Sequence, residues 1–198
     1  MPAIQKTQKD IIQGTKEYII KVARQLFSKY SYLGVSMNDI AKRLRITKPA
    51  LYYHFSGKAE IYKKVLIEVF EKLNSQLSQA IKEKTPKKKL EKLIHNYLKF
   101  GLKEKNLIKV LMVNLPSGNQ EIRRVIIRLR KRTVKLIHNV VEEVAKKKKP
   151  NQKVNVKLST FLLIGMLNGL LLEYSFFNKK VNLKRLAKEI TAFCFDNL

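Results

Sequence analysis

A dense and varied set of side chains that could do chemistry lies between Thr47 and Lys58. The sequence there reads TKPALYYHFSGK, which offers two hydroxyls, two cations, two small apolar groups, two phenols and an imidazole. Such a set suits the edge of a nucleic-acid duplex better than it suits a reaction. Lys48 can donate to O6 or N7 of guanine, while Pro49 and Ala50 offer small apolar surfaces to a thymine methyl. Phe55 reads as a core aromatic. Tyr52 and Tyr53 could be core aromatics or surface groups. His54 taken alone would be an ordinary surface histidine, but its place between Tyr53 and Phe55 tips it towards a contact.

An enzyme reading finds little to work with. The chain has three histidines (His54, His95 and His138) and one cysteine, Cys194. It has no H-E-x-x-H, no G-x-S-x-G and no Gly-rich phosphate loop. His95 and His138 fall in separate helices and read as single core or surface histidines, so neither a metal nor a cofactor is expected. The lone cysteine rules out an internal disulfide and suits a reducing cytoplasm.

The elements that must hold Thr47–Lys58 in place are helical. Gly (7) and Pro (5) are scarce in 198 residues that are 45% hydrophobic, and apolar residues recur at three- and four-residue steps, the mark of helices. Ile12, Ile19, Val22, Ala23, Leu26, Phe27 and Tyr30 predict a first helix over 9–30. A turn follows at SYLGV, where Gly34 is free to take a backbone conformation other residues avoid. Ser36 with Asp39 three residues on resembles a capping box. Asp39 is thus expected to be a cap, because a carboxylate facing phosphates would repel them. Ile40 and Leu44 give the second helix its apolar face. After the turn Leu44–Thr47, Thr47 is a good N-cap for a third helix and Pro49 falls in its first turn, with Leu51 and Phe55 inward. Ser56-Gly57 ends it. A fourth helix starts near Lys58 and carries Ile61, Val65, Leu66, Val69, Leu73, Leu77 and Ile81. The cluster KEKTPKKK, 82–89, marks a boundary, and helices are predicted over 87–103, 105–115, 119–147, 154–177 and 182–196. The fold class is therefore all-α with about nine helices, divided into a head, 1–57, and a body, 58–198.

Two short helices joined by a tight turn and backed by a third satisfy the helix-turn-helix arrangement, though many small helical proteins contain such a pair. The string from 36 to 62, SMNDIAKRLRITKPALYYHFSGKAEIY, narrows it. It closely resembles the TetR family of bacterial and archaeal regulators in the hydroxyl opening helix two, Asp39-Ile40-Ala41, the Leu51–Phe55 block and Lys58. The resemblance covers about 50 N-terminal residues; the rest agrees in length and helical character. It implies that Ser36, Tyr52, His54 and Lys58 contact phosphates, that Tyr53 packs or hydrogen-bonds at the duplex, and that Asn38 reaches a base edge. Arg45 departs from the pattern, because the family usually has Gly there. A non-Gly residue costs about 1–2 kcal/mol if the left-handed conformation is kept. Either the turn bears that strain or its geometry differs, and Arg45 would recover something as a phosphate contact.

The same resemblance implies a homodimer that binds a palindromic double-stranded DNA operator, most often as a repressor, and is released by a small-molecule effector. The last two long helices would form the seam. Residues 158–177, LSTFLLIGMLNGLLLEYSFF, are apolar around most of a helix, and burial between protein surfaces explains this better than a membrane span. Gly165 and Gly169 permit close helix approach there. Asn168 and Glu173 are either interface or pocket groups, with the interface favoured. Leu107, Leu111, Met112, Leu115, Phe161, Met166 and Leu170 are candidates for an apolar pocket, with Arg128 on a basic rim.

Charge adds a second problem. Lys and Arg total 42 against 15 acids, a net +27, yet residues 1–60 hold only 11 basic against 4 acidic groups. Most of the excess lies in the body. A solvated surface is its simplest reading, and an anionic effector such as a fatty acyl-CoA is the sharper one. A basic architectural protein without sequence preference is the alternative to a regulator. It would bind random duplexes almost as well as its best site.

Overall fold

The computed structural model describes residues 8–108, 119–147, 154–177 and 181–197, and among them there is no β-strand. The head is built from α1 (Gln8–Tyr30), α2 (Met37–Leu44) and α3 (Lys48–His54). The long α4 (Lys58–Ser78) leads into the body, followed by a 3₁₀ turn (Gln79–Lys82), α5 (Pro86–Lys103), α6 (Gln120–Ala145), α7 (Val156–Phe177) and α8 (Leu183–Asn197). Residues 105–108 are helical as well, and the rest of the helix expected over 105–115 lies outside the described residues.

Helix ends follow side-chain chemistry. Thr85 accepts from the N–H of Lys88 at 3.3 Å, and Asn119, Asn155 and Asn182 accept from Ile122, Leu158 and Arg185 at 3.0, 3.0 and 3.1 Å. Each satisfies a donor that the first turn of a helix leaves open. α4 opens on Gly57, which has no side chain to cap it. Instead the N–H and Oγ of Ser56 both donate to Glu60, each at 2.8 Å. The expected fourth helix ends sooner than its apolar pattern suggested. The backbone tightens into the 3₁₀ turn at Gln79, and Ile81 is left exposed.

Gly34 also plays a different part from the one expected. It does not take a left-handed conformation; Ser31 does, at φ 63°. Gly34 is needed for space, since a Cβ there would collide with the carbonyl oxygen of Tyr30.

One continuous core runs from α1 to α8. In the head it contains Phe27, Ile40, Leu51 and Phe55, and Tyr62 of α4 closes it with its ring 4.9 Å from Phe27 and 4.8 Å from Tyr32. In the body, α5 lies at the centre against α4, α6, α7 and α8, with Leu90, Leu93, Ile94 and Leu98 fully buried. Gly101 lets α7 come close, because a Cβ there would strike the side chain of Leu171. α4 and α6 run parallel and are joined at two levels. Lys63 pairs with Glu121 at 2.6 Å, and Thr133 donates to the buried Asn74 at 2.8 Å.

Candidate nucleic-acid interface and effector cavity

α2 is fixed at both ends. Ser36 accepts from the N–H of Asp39 at 3.2 Å, while its own N–H and Oγ donate to the Asp39 carboxylate at 2.8 and 2.6 Å. Those bonds hold the Asp39 pKa below its ordinary value, so the acid caps the helix. At the other end Arg45 sits at φ 57°, ψ 39°, the left-handed conformation that glycine takes without strain. Its N–H and that of Ile46 donate back to the carbonyls of Lys42 and Ala41, each at 3.1 Å, the paired bonds of a Schellman termination. The turn therefore keeps its geometry and bears the strain.

α3 begins on Thr47, which accepts from the N–H of Ala50 at 3.3 Å, and Pro49 occupies its first turn. Leu51 is the one residue of this seven-residue helix that is fully buried, and Phe55 just beyond it is also in the core. Thr47, Lys48, Pro49 and Ala50 are exposed. Tyr52 and Tyr53 are 46% and 75% exposed, which removes the core reading for both. Ser36, Asn38 and Arg45 are exposed too.

Two groups are less open than the sequence suggests. The Lys58 ammonium donates to the carbonyl of Tyr32 at 2.8 Å and rests 4.3 Å above its ring. Burial lowers its pKa, with Asp39 opposing. Lys58 thus braces the α1–α2 turn with one of its three N–H groups. His54 is half-buried, and its Nδ1 is enclosed with no hydrogen-bond partner among the described residues. The sequence reading passed over Lys42 and Arg43, which are exposed on the last turn of α2 and line a cleft with Lys29 and Tyr30.

In the body, a cavity of about 360 Å³ lies between α4, α5, α6 and α7. Phe70, Leu73, Ile108, Ile126, Val134, Ile137, Ile164 and Leu172 form its apolar wall, and Tyr97, Arg130, Thr133 and Asn168 supply the polar groups. None of the expected pocket residues that the structure describes is in this lining. Arg128 is exposed, and its place in the lining is taken by Arg130, two residues on. Phe161 is 47% exposed on the outer side of α7. Leu107 is buried in the core, while Met166 and Leu170 pack against it; none of the three lines the cavity. Leu111, Met112 and Leu115 lie outside the described residues. Asn168, favoured as an interface group, lines the cavity and accepts from the Tyr97 hydroxyl at 2.7 Å.

α7 is less buried within one chain than its composition suggested. Leu158, Phe161, Leu162, Phe176 and Phe177 are all exposed, and so are Gly165, Gly169 and Glu173. The helix is long and apolar enough to cross a membrane, and 28% of that stretch is buried in the chain. Among the described residues, nothing beyond the helix's own backbone lies within 4 Å of a Cβ built on Gly165 or Gly169. His95 and His138 remain apart. His138 Nδ1 lies 3.2 Å from Thr160, whereas burial and nearby lysines lower the pKa of His95, partly offset by the Leu183 carbonyl. No group able to hold a metal occurs among the described residues.

A helix-turn-helix head carried on a helical body with an apolar cavity is the architecture of a DNA-binding regulator. The chain belongs to the TetR family of transcriptional regulators. Residues 19–65 match the bacterial regulatory proteins of the tetR family, and residues 83–174 match the tetracyclin repressor-like C-terminal domain. A segment of 60 residues is 43% identical to the biofilm operon icaADBC HTH-type negative transcriptional regulator IcaR of Staphylococcus aureus. It spans 30% of this chain and 32%, about a third, of that relative's length. Among solved structures, the fold is similar to the fatty acid degradation regulator FadR of Bacillus halodurans (TM-score 0.79, 20% identity, 98% of each chain covered). It is also similar to FadR of Bacillus subtilis in complex with stearoyl-CoA (TM-score 0.78, 18% identity, 92% and 98% covered).

Proposed function

We propose that this chain is a cytoplasmic transcriptional repressor that binds a palindromic operator as a homodimer and leaves it when a lipophilic anion enters the body. The observation that carries this is the outer face of α3. Lys48, Pro49, Ala50, Tyr52 and Tyr53 stand exposed together on a helix anchored from behind by Leu51 and Phe55. A major groove accepts a helix of this kind, with base edges read near its N-terminus and phosphates held around it. Residues 1–57 act as the reading head and 58–198 as the sensing and pairing body.

Pairing is supported by the apolar outer face of α7, whose two glycines leave room for a second helix. Such a face exposed to water is a protein contact surface, and a second copy covers it without a membrane. Repression is supported by IcaR, named as a negative regulator. An anionic effector, with acyl-CoAs among the candidates, is supported by the apolar cavity with Arg130 in its lining and by the similar FadR fold seen with stearoyl-CoA. Two linked heads fit successive grooves at only one separation. A ligand that favours another separation weakens DNA binding by its differential affinity for the two states.

Fluorescence anisotropy on duplexes selected from a random pool tests the reading. The selected site should be two-fold symmetric, with half-sites about 34 Å apart, and should outcompete random DNA by about 10³-fold or more. Lys48→Ala should relax preference at one position in each half-site, while Tyr52→Phe should weaken all sites alike. Equal binding to random duplexes would establish the non-specific architectural reading instead.

A further inference from the structure

The body cavity has a chemical bias of its own, and the following rests on the effector role assigned to it above. Among the described residues its lining includes one cation, Arg130, and no carboxylate. Arg130 is exposed while the walls are not, so the charge lies at the mouth and the apolar surface inside.

The neutral polar groups point the same way. Tyr97 gives its proton to Asn168 Oδ1 at 2.7 Å, so among the described residues the Asn168 carboxamide has its N–H groups left to offer. The phenol stays a donor, since burial pushes its pKa up to about 12 against the pull of Arg130. Thr133 already donates to Asn74 at 2.8 Å and is part of the wall. The mouth therefore presents a guanidinium fork and amide N–H groups, all donors. Such a set matches a carboxylate, which accepts only and takes bidentate bonds from arginine. A cation would be repelled, and a neutral head would leave Arg130 bound to water alone.

We propose that this cavity is a site for an amphiphilic monocarboxylate. The carboxylate lies at the mouth on Arg130 and Asn168, and the apolar body lies between Phe70, Ile126, Ile137 and Leu172. A volume of about 360 Å³ is near the lower end for small-molecule sites, which suits a chain of about eight to twelve carbons.

Isothermal titration of the full chain without DNA tests this with four probes of one chain length: decanoate, decanol, decyltrimethylammonium and decanoyl-CoA. Decanoate should bind about ten- to a hundred-fold more tightly than decanol, the difference set by hydrogen bonds to a charged group, and the ammonium should not bind. Arg130→Gln, a change at an exposed position, should bring decanoate down to the affinity of decanol and leave decanol unchanged. Asn168→Leu should weaken decanoate by a smaller factor.

Equal affinities for decanoate and decanol would overturn the proposal, as would an Arg130→Gln variant that binds decanoate like the parent. Absence of binding by all four probes would overturn it as well. If decanoyl-CoA bound far more tightly than decanoate and kept its affinity in Arg130→Gln, the free carboxylate would be the wrong class, although an effector cavity would stand. Operator binding is measured separately, so failure here is distinguishable from failure of the regulator reading.

Discussion

Replacing Arg45 with glycine separates two contributions that the sequence leaves entangled. The residue sits at φ 57°, ψ 39°, closing α2 through N–H bonds that do not involve its side chain. A left-handed non-glycine residue costs about 1–2 kcal/mol. Glycine removes that cost but adds freedom to the unfolded chain, which offsets about 0.4–1 kcal/mol of it. The net expectation is a gain centred on about 0.8 kcal/mol within a span of about 0–1.6, or about 2–3 °C in Tm for a chain of this size. Arg45→Asn should fall between the two, and Arg45→Val should lose stability because its branched Cβ crowds that conformation. Thermal and urea unfolding without DNA would read this directly. If Arg45→Gly were no more stable than the parent, the assignment of strain to this turn would be refuted. Operator affinity reports the other contribution. Loss of one phosphate contact reduces the slope of log K against log salt by about 1, so Arg45→Gly should give a more stable protein that holds DNA less tightly. A slope unchanged by the substitution would remove Arg45 from the contact surface without touching the argument from strain.

Three further outcomes are expected. Gly101→Ala should cost about 1–3 kcal/mol by overpacking, and less in a Leu171→Ala background; additive losses in the double variant would show that the two helices do not meet there. The Asp39 pKa is depressed in the folded state, so its capping contribution is present above the unfolded value and disappears as pH falls through the folded one. The stability gap between the parent and Asp39→Asn should close in that acid range, and a gap persisting at the lowest pH would contradict the cap. Leu162→Glu, at a position 60% exposed on α7, should turn a dimer into a folded monomer in analytical ultracentrifugation; an unchanged sedimentation coefficient would place the seam elsewhere.

The head was legible from sequence because its signals are local. Ser36, Thr47 and Pro49 act within one turn of where they stand, and Leu51 and Phe55 reveal the inner face of α3 by spacing alone. Arg45 could be singled out because the motif around it is tight enough for a departure to show. The body was legible only as helices. Which residues line its cavity depends on how α4, α5, α6 and α7 are rotated against one another, and a rotation of one helical position (about 100°) moves a side chain to another face. Arg128 and Arg130 are two positions, about 200°, apart on one helix, so the sequence offers one for the other, and Asn168 is favoured for the seam although it lines the cavity. The bond that turns Asn168 inward comes from Tyr97, 71 residues earlier, and no local pattern announces it. The cationic character of Lys58 is plain in the sequence, but the Tyr32 carbonyl that engages it is not.

The parallel pairing of α4 and α6 has a mechanical consequence. Phe70 and Leu73 stand on the cavity wall, while Lys58 begins the same helix beside the head. The span between them is about 18–22 Å at 1.5 Å per residue. A tilt of about 5° at the cavity end would swing the other end by nearly 2 Å, more than the tolerance of a hydrogen bond to a base edge. The Lys63–Glu121 and Asn74–Thr133 links tie α6 to that motion. The arm is therefore two rods thick, and a displacement at its cavity end would reach the head through their combined stiffness.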